Sequence, residues 1–300
     1  MRIVITGFIL ALLVACGSGK KSDEQAFIES LEDSAKQEGP TISEEVIGSI
    51  LGQIPSPLEI SVLLKESGKK YNVSYLNSPD NRSKYNTNYQ KALNLGVYGT
   101  DLGYTNIYEQ NQDGVKYMEA IKEIADGLNI GQFFDIETIG RLATNSKNLD
   151  SLLLITTQNF NSINHYLQTQ SRANLSVLFL IGGWLEALHI TCETAGANPD
   201  NKQLQETIGE QKIILENIML LLSFYKDTDS NMASLLTDVE ELKKAFDKVN
   251  ITYTYKESTF EIVDGVMVIK DNSSSTIQIT ADDIKSIRGI TQSIRTKIIS

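Results

Sequence analysis

The sequence predicts a mainly α-helical fold, a bundle of antiparallel helices followed by a small C-terminal antiparallel β-hairpin or sheet and a terminal helix. Apolar residues recur at helical spacing over most of residues 41–249. At Asn250 the apolar period changes to two, and turn residues become frequent. After the capping residue Thr280 the helical period returns.

The predicted helices follow one another with short connections. The first spans residues 41–54, and the second, 57–67, has a proline at its first position and Gly68 at its end. Further helices are predicted over residues 84–110, 114–128, 135–144, 149–168, 173–195, 203–225 and 235–249. Because 173–195 and 203–225 are apolar nearly all round, we expect both in the middle of the bundle.

The C-terminal segment has the pattern of short strands. Ile251, Tyr253 and Tyr255 alternate with threonines, and residues 260–269 form a hairpin pattern around an Asp-Gly turn. A further strand contains Ile277 and Ile279. Since short strands need a partner surface, we expect the sheet and the final helix to cap the bundle.

Residues 1–16 have the pattern of a secretory signal. Arg2 supplies a positive charge, and residues 3–15 form an uncharged, largely apolar stretch of 13 residues. That is the length of the apolar region of a signal peptide, and it is shorter than the about 20 residues that a bilayer span needs. The stretch ends in Leu13-Val14-Ala15-Cys16, and residues 17–21 are a polar run with two glycines.

This pattern resembles the lipobox of bacterial lipoproteins. The resemblance implies cleavage before Cys16, a diacylglycerol on its thiol and an acyl chain on its amine. Such chains exceed the two signals that stable membrane anchoring needs. Gly17 after the cysteine favours the outer membrane, with the periplasmic or surface face left open. Residues 148–160 and 209–225 also resemble uncharacterised envelope lipoproteins of Bacteroides-like bacteria, which implies no activity.

We therefore divide the chain into four parts. Residues 1–15 are the signal peptide and 16–40 a lipidated flexible tether; residues 41–249 form the helical domain and 250–300 the small β-sheet with the terminal helix. The chain after the signal is long enough for one large domain or two small ones.

Charge and motifs exclude several function classes. The net charge of the whole chain is −11, and no basic stripe of the kind that binds nucleic acid is present in the sequence. We also find no phosphate-binding glycine loop, nucleophile elbow or His-Glu-x-x-His motif. We therefore expect a membrane partner through lipid, no nucleic-acid partner and no cofactor.

Tyrosines are concentrated early in the chain, with seven of the twelve between Tyr71 and Tyr108. Tyr98, Tyr104 and Tyr108 are candidate ligand-binding residues, because a tyrosine combines an apolar face with a hydroxyl that could bind a glycan or peptide. The alternative is packing, in which the nearby Gly96, Gly99 and Gly103 let a neighbouring helix approach closely.

One group of residues could bind a metal ion or take part in catalysis. Glu186 and His189 are three residues apart on a predicted helix, and Glu193 is one further turn along the same face. A carboxylate and an imidazole at this spacing can hold a transition metal. His165 is the other histidine of the chain and lacks a matching glutamate, so the alternative is the polar end of a core helix. Cys192 would be the cysteine left after lipidation, and a buried apolar role is the common one for a free cysteine.

Three functions are consistent with these observations. The first is a non-enzymatic lipoprotein, anchored through Cys16, that supports or binds an envelope partner. The second is a cell-surface glycan- or peptide-binding module that uses the tyrosine-rich segment. The third is a metal-dependent enzyme centred on Glu186 and His189.

Overall fold

A computed structural model describes residues 46, 49–50, 63–66, 68, 70–134, 149–263, 266–270 and 272–300. For residues 149–154, 156–157, 261–263 and 266–270 it describes the backbone alone. The predicted helix over 135–144, the Asp-Gly turn and most of the first two predicted helices lie outside the described residues. At the end of the second, Gly68 has a φ of +74°, as expected for a helix C-terminal glycine.

The predicted fold class is confirmed. Short 3-10 helices, Val73–Tyr75 and Pro79–Lys84, precede α1 (Asn88–Ile107) and α2 (Asn111–Gly127). After a third 3-10 helix, Gly131–Phe134, the chain continues as α3 (Leu149–Thr169), α4 (Ala173–Gly196), α5 (Lys202–Ser223) and α6 (Ser230–Phe246). Four strands follow, β1 (Asn250–Thr254), β2 (Thr259–Val263), β3 (Val266–Lys270) and β4 (Ser274–Gln278), and then α7 (Ala281–Ile299).

Helix α4 lies at the centre of the bundle, in contact with α1, α3, α5 and α7. Its side chains are buried almost all round, which confirms the predicted central position of this apolar segment. By length and composition it is the one helix among the described residues that could cross a membrane. However, 89% of its most apolar window is buried inside the protein.

Helices α1 and α4 touch through their backbones. A Cβ atom built on Gly96 would lie 2.0 Å from the carbonyl oxygen of Phe179, and one on Gly182 would lie 1.9 Å from that of Leu93. Any side chain larger than hydrogen would therefore force the helices apart. Gly99 has ordinary space, since its nearest neighbour is a Phe179 ring atom at 3.9 Å. The predicted close approach is thus made by Gly96 and not by Gly99.

Helix α7 belongs to the bundle core. It begins with a capping box in which Thr280 accepts from the backbone N–H of Asp283, and the Asp283 carboxylate accepts in return. Ile287 and Ile294 are buried, and the helix contacts α4, α6 and α1. The described residues all fall within one compact unit, 42–300. The change of period at residue 250 therefore marks a change of secondary structure within a shared core.

The strands form two nested antiparallel pairs. β1 pairs with β4, and the β2–β3 hairpin lies within the connection between them. We call residues 250–278 the β arm. Ile251 pairs with Ile277 at its base, where the Ile277 side chain lies against Gly209 of α5. Farther along the arm, the side chains of Tyr253 and Phe260 are 62% and 68% exposed.

Candidate functional site

Glu186 and His189, the sequence candidates for chemistry, lie on the buried central helix α4. Glu186 is fully buried and His189 is 4% exposed. The Arg295 guanidinium from α7 donates through two nitrogens to the two carboxylate oxygens of Glu186, with 2.6 Å between Nη2 and Oε1. The same Nη2 donates to the Tyr75 carbonyl at 3.1 Å. The carboxylate is therefore held in a two-pronged ion pair, a geometry of high strength and direction.

A second pair repeats this arrangement two turns along. Arg288 of α7 donates from Nε and Nη2 to the two oxygens of Glu193 at 2.7 and 2.6 Å. Glu186 and Glu193 are seven residues apart on α4, and Arg288 and Arg295 are seven residues apart on α7. The earlier glutamate pairs with the later arginine. Because two helical turns span about seven residues, the matched spacings align α7 antiparallel to α4 in one register.

His189 and Cys192, which the sequence also placed near Glu186, are buried on the same helix α4. Burial, and then the nearby charge of Arg295, lowers the pKa of His189 to about 3. Its Nδ1 atom has no hydrogen-bond partner among the described residues. Cys192 is fully buried, and burial raises the pKa of its thiol. Neither group therefore carries charge in the folded protein at neutral pH.

Asp101 of α1 is an additional member of the cluster that the sequence did not reveal. It is fully buried and lies within hydrogen-bonding reach of the Glu186 carboxyl group. Its Oδ2 atom accepts from the Asn77 backbone N–H at 3.1 Å. The sequence signal was a single aspartate among glycines and tyrosines, with no spacing that pairs it with a residue 85 positions away.

A polar network joins this cluster to the segment before α1. The Asn77 side chain donates to the Tyr85 hydroxyl at 2.9 Å, and the Tyr117 hydroxyl donates to the Asn77 carbonyl at 3.0 Å. Asn94 of α1 donates to the Ile298 carbonyl at the end of α7 at 2.9 Å. The network therefore fixes the 71–85 segment, α1, α2 and α7 to one another without exposed groups.

The candidate ligand-binding tyrosines take mainly core positions. Tyr98 and Tyr104 have 0% and 1% of their surface exposed, and Tyr108 is partly buried. The Tyr98 hydroxyl donates to the Ser78 carbonyl at 2.8 Å, and the Tyr104 hydroxyl accepts from the Asn72 N–H. The ring centroids of Tyr104 and Tyr108 are 4.7 Å apart. Since two of the three rings have no surface for a ligand to cover, the geometry favours the packing alternative.

A surface groove lies above this network. It has a volume of about 370 Å³ between the 3-10 helix Pro79–Lys84 and α2, with Leu76 and Tyr117 among its lining residues. Its rim carries both signs of charge, and Lys116 pairs with Asp113 at 3.2 Å. The Tyr71 hydroxyl also donates to Asp113 at 3.0 Å. Lys116 and Asp113 thus satisfy each other, and with both signs of charge on its rim the groove has no marked preference for one ligand chemistry.

In the described part of the chain, no three His, Cys, Asp or Glu side chains lie close enough together to hold a metal ion. Glu186 and Glu193 are each engaged by an arginine.

The fold and the cluster together define a mainly α-helical domain whose central helix is fixed to a C-terminal helix by two ion pairs, one of them buried. Comparison with protein-family models, curated proteins and solved structures finds no significant match for this chain.

Proposed function

We propose that this protein is a non-enzymatic lipoprotein of the cell envelope, anchored by lipid on Cys16, whose helical domain supports or binds an envelope partner. The observation that carries the proposal is the lipobox pattern Leu13-Val14-Ala15-Cys16 after an uncharged stretch of 13 residues. Two or more acyl chains on Cys16 would keep the domain at its membrane, with the outer membrane as the proposed location.

The roles of the candidate catalytic groups support a non-enzymatic protein. A general acid, base or nucleophile must come within hydrogen-bonding reach of a substrate. Glu186 and Cys192 are fully buried, and Glu186 is held on both oxygens by Arg295. The contacts between Arg295 and Glu186 hold α7 against α4, which is a packing role.

Anchoring is tested by phase partition of the protein from cells. We expect the wild type to enter the detergent phase and Cys16→Ser to remain unprocessed and lack the lipid, because the diacylglycerol is attached to the thiol. Cys192→Ala is the matched control, since it removes the other cysteine and should leave partition unchanged. Equal partition and equal processed size of wild type and Cys16→Ser would contradict the proposal.

The β arm is the candidate contact surface for an envelope protein. Tyr253, Tyr255 and Phe260 are 62%, 72% and 68% exposed, and aromatic residues are enriched at protein interfaces. In addition, each strand of the arm is hydrogen-bonded to one other strand, and its second edge has no strand partner among the described residues, so an added strand could pair there. The arm thus combines exposed aromatic area with backbone groups that a partner's extended segment could pair with.

A photo-cross-linking residue placed at Tyr253 tests this contact in intact cells. We expect a discrete protein adduct, identified by mass spectrometry, that is absent when the probe replaces Val115 of α2, a position with similar exposure of 59%. The same adducts at both positions, or a lipid adduct at Tyr253, would contradict a protein partner on the arm.

A further inference from the structure

Asp101 and Glu186 form a pair of buried carboxyl groups that share one arginine. Both residues are fully buried, and their carboxyl groups lie within hydrogen-bonding reach of each other. Arg295, whose side chain is 11% exposed, binds Glu186 through two nitrogens. Two neighbouring carboxylates with a single arginine leave one negative charge without compensation if both are ionised.

One oxygen atom of the pair indicates that a proton is bound there. The Oδ2 atom of Asp101 accepts from the Asn77 N–H, but its Oδ1 atom has no hydrogen-bond donor among the described residues. A buried carboxylate oxygen without a donor is costly, and two carboxylates that share a buried site do not both ionise. A proton on Asp101 removes both costs, because it neutralises one charge and supplies the hydrogen bond that joins the two carboxyl groups.

We infer that Asp101 and Glu186 hold a single proton between them, carried on Asp101, and that this proton makes the stability of the bundle fall as the pH rises. The proton is assigned to Asp101 because both oxygens of Glu186 accept from the Arg295 guanidinium, whereas Oδ1 of Asp101 has no donor among the described residues. The pair joins three helices, α1 through Asp101, α4 through Glu186 and α7 through Arg295.

The surroundings of the pair set the sign of the pH dependence. Burial raises the pKa of Asp101, the Glu186 charge raises it further, and Arg295 lowers it by less. The other titratable or charged groups that face this region are His189 of α4, Arg288 of α7, Tyr117 of α2, Tyr98 of α1, and Tyr71 and Tyr85 of the preceding segment.

The unfolded chain loses the Asp101 proton near pH 3.9, the ordinary value for an aspartate. Because the folded state keeps this proton to higher pH, the contribution of Asp101 is fully present below the unfolded pKa and is lost as the pH rises through the folded pKa. His189 acts in the opposite sense, since its lowered pKa makes the fold lose stability as the pH falls from 6.5 toward 3. A comparison of variants is needed to separate the two groups.

Asp101→Asn tests the inference, because an amide donates a hydrogen bond to Glu186 as a protonated acid does, and carries no charge at any pH. We measure the unfolding equilibrium constant by denaturant titration from pH 4 to pH 8 in the full chain. We expect the ratio of the wild-type constant to that of Asp101→Asn to rise about tenfold per pH unit, for as long as the folded protein keeps the proton. The effect of His189 is common to both proteins and cancels.

Asp283→Asn is the control for an aspartate whose pKa shifts the other way. The hydrogen bonds with Thr280 lower the pKa of Asp283, so the wild type loses its advantage over this variant only as the pH falls below the unfolded value near 3.9. The ratio for Asp283→Asn should therefore be nearly constant from pH 4 to pH 8, and an equally constant ratio for Asp101→Asn would overturn the inference.

A second measurement uses the wild type alone and does not depend on the folding of a variant. The infrared spectrum of the folded protein at neutral pH should show the carbonyl band of a protonated acid. Labelling the aspartate carboxyls with carbon-13 should shift this band. Labelling at glutamate should not shift this band. The absence of a protonated-acid band, or a band that shifts with glutamate labelling, would show that Asp101 is ionised or that Glu186 carries the proton.

Discussion

At the residue scale, the contact between Arg295 and Glu186 differs in kind from that between Arg288 and Glu193. The side chains of the first pair are 11% and 0% exposed, whereas Arg288 of the second is 43% exposed. Water therefore screens the second pair and leaves the first unscreened. Removal of one partner of a buried pair leaves a charge without compensation, which costs far more than the loss of a surface pair.

Arg295→Ala should lower the free energy of unfolding by about 3–5 kcal/mol, because the buried Glu186 carboxylate loses its partner. Arg288→Ala is the matched control on the same helix face, with an expected loss of about 1 kcal/mol. Both values are measured by denaturant titration at neutral pH.

The double variant Glu186→Gln with Arg295→Met removes both buried charges. It should recover much of the stability that Arg295→Ala loses, since a neutral pair leaves no charge in the core. Equal losses for the two single arginine variants would show that the buried pair has no special role.

Single residues of the cluster were only partly predictable from the sequence. The helical spacing placed Glu186 and His189 on one face, and the structure confirms their shared helix. Asp101 and Arg295 were missed because their partners lie 85 and 109 positions away. The matched seven-residue spacings of the two glutamates and the two arginines were visible, but a spacing pairs two helices only once their contact is known.

At the element scale, the contact between α1 and α4 depends on glycines that replace side chains with hydrogen. The Thr100 hydroxyl of α1 also donates to the Gly183 carbonyl of α4 at 3.0 Å. Close backbone approach therefore gives both dense packing and a hydrogen bond between the helices. The contact centres on Gly96 and Gly182.

Gly96→Ala should lower the free energy of unfolding by about 3 kcal/mol, because the added methyl group would meet the Phe179 carbonyl, an atom of the helix backbone that cannot turn away. Gly99→Ala is the control one turn along α1. With its nearest atom at 3.9 Å, it should raise stability by up to about 1 kcal/mol through helix propensity. Thermal or denaturant unfolding measures both, and effects of the same sign would contradict the packing description.

Helices were predictable as elements, and their ends less so. The sequence helix over 84–110 begins in the structure at Asn88, because Thr87 and Gln90 form a capping box that starts it. The preceding residues, Pro79–Lys84, form a separate 3-10 helix after Ser78. The four strand segments named from the sequence are present in the structure, which arranges them as two nested pairs. The pairing of β1 with β4 depends on a contact across 20 residues or more, which local periodicity does not report.

At the scale of the whole molecule, the described residues combine a buried helical core with an exposed β arm. The core is held by a buried ion pair and close helix contacts, whereas most described side chains of the arm are exposed. On the proposed function, the lipid on Cys16 holds this unit at a membrane, and the arm is the part that meets a partner. The 24 residues between Cys16 and Thr41 would give a flexible chain a reach of roughly 25–30 Å.

The measurement that tests the account most directly is the mass of the N-terminal peptide of the protein purified from cell membranes. We predict a chain that begins at Cys16 and carries a diacylglycerol on its thiol, with an acyl chain on the amine where the host adds one. Cys192 in the same preparation should be an unmodified thiol, in keeping with its burial. A chain that retains residues 1–15, or one that begins at Cys16 without lipid, would contradict a lipid-anchored protein.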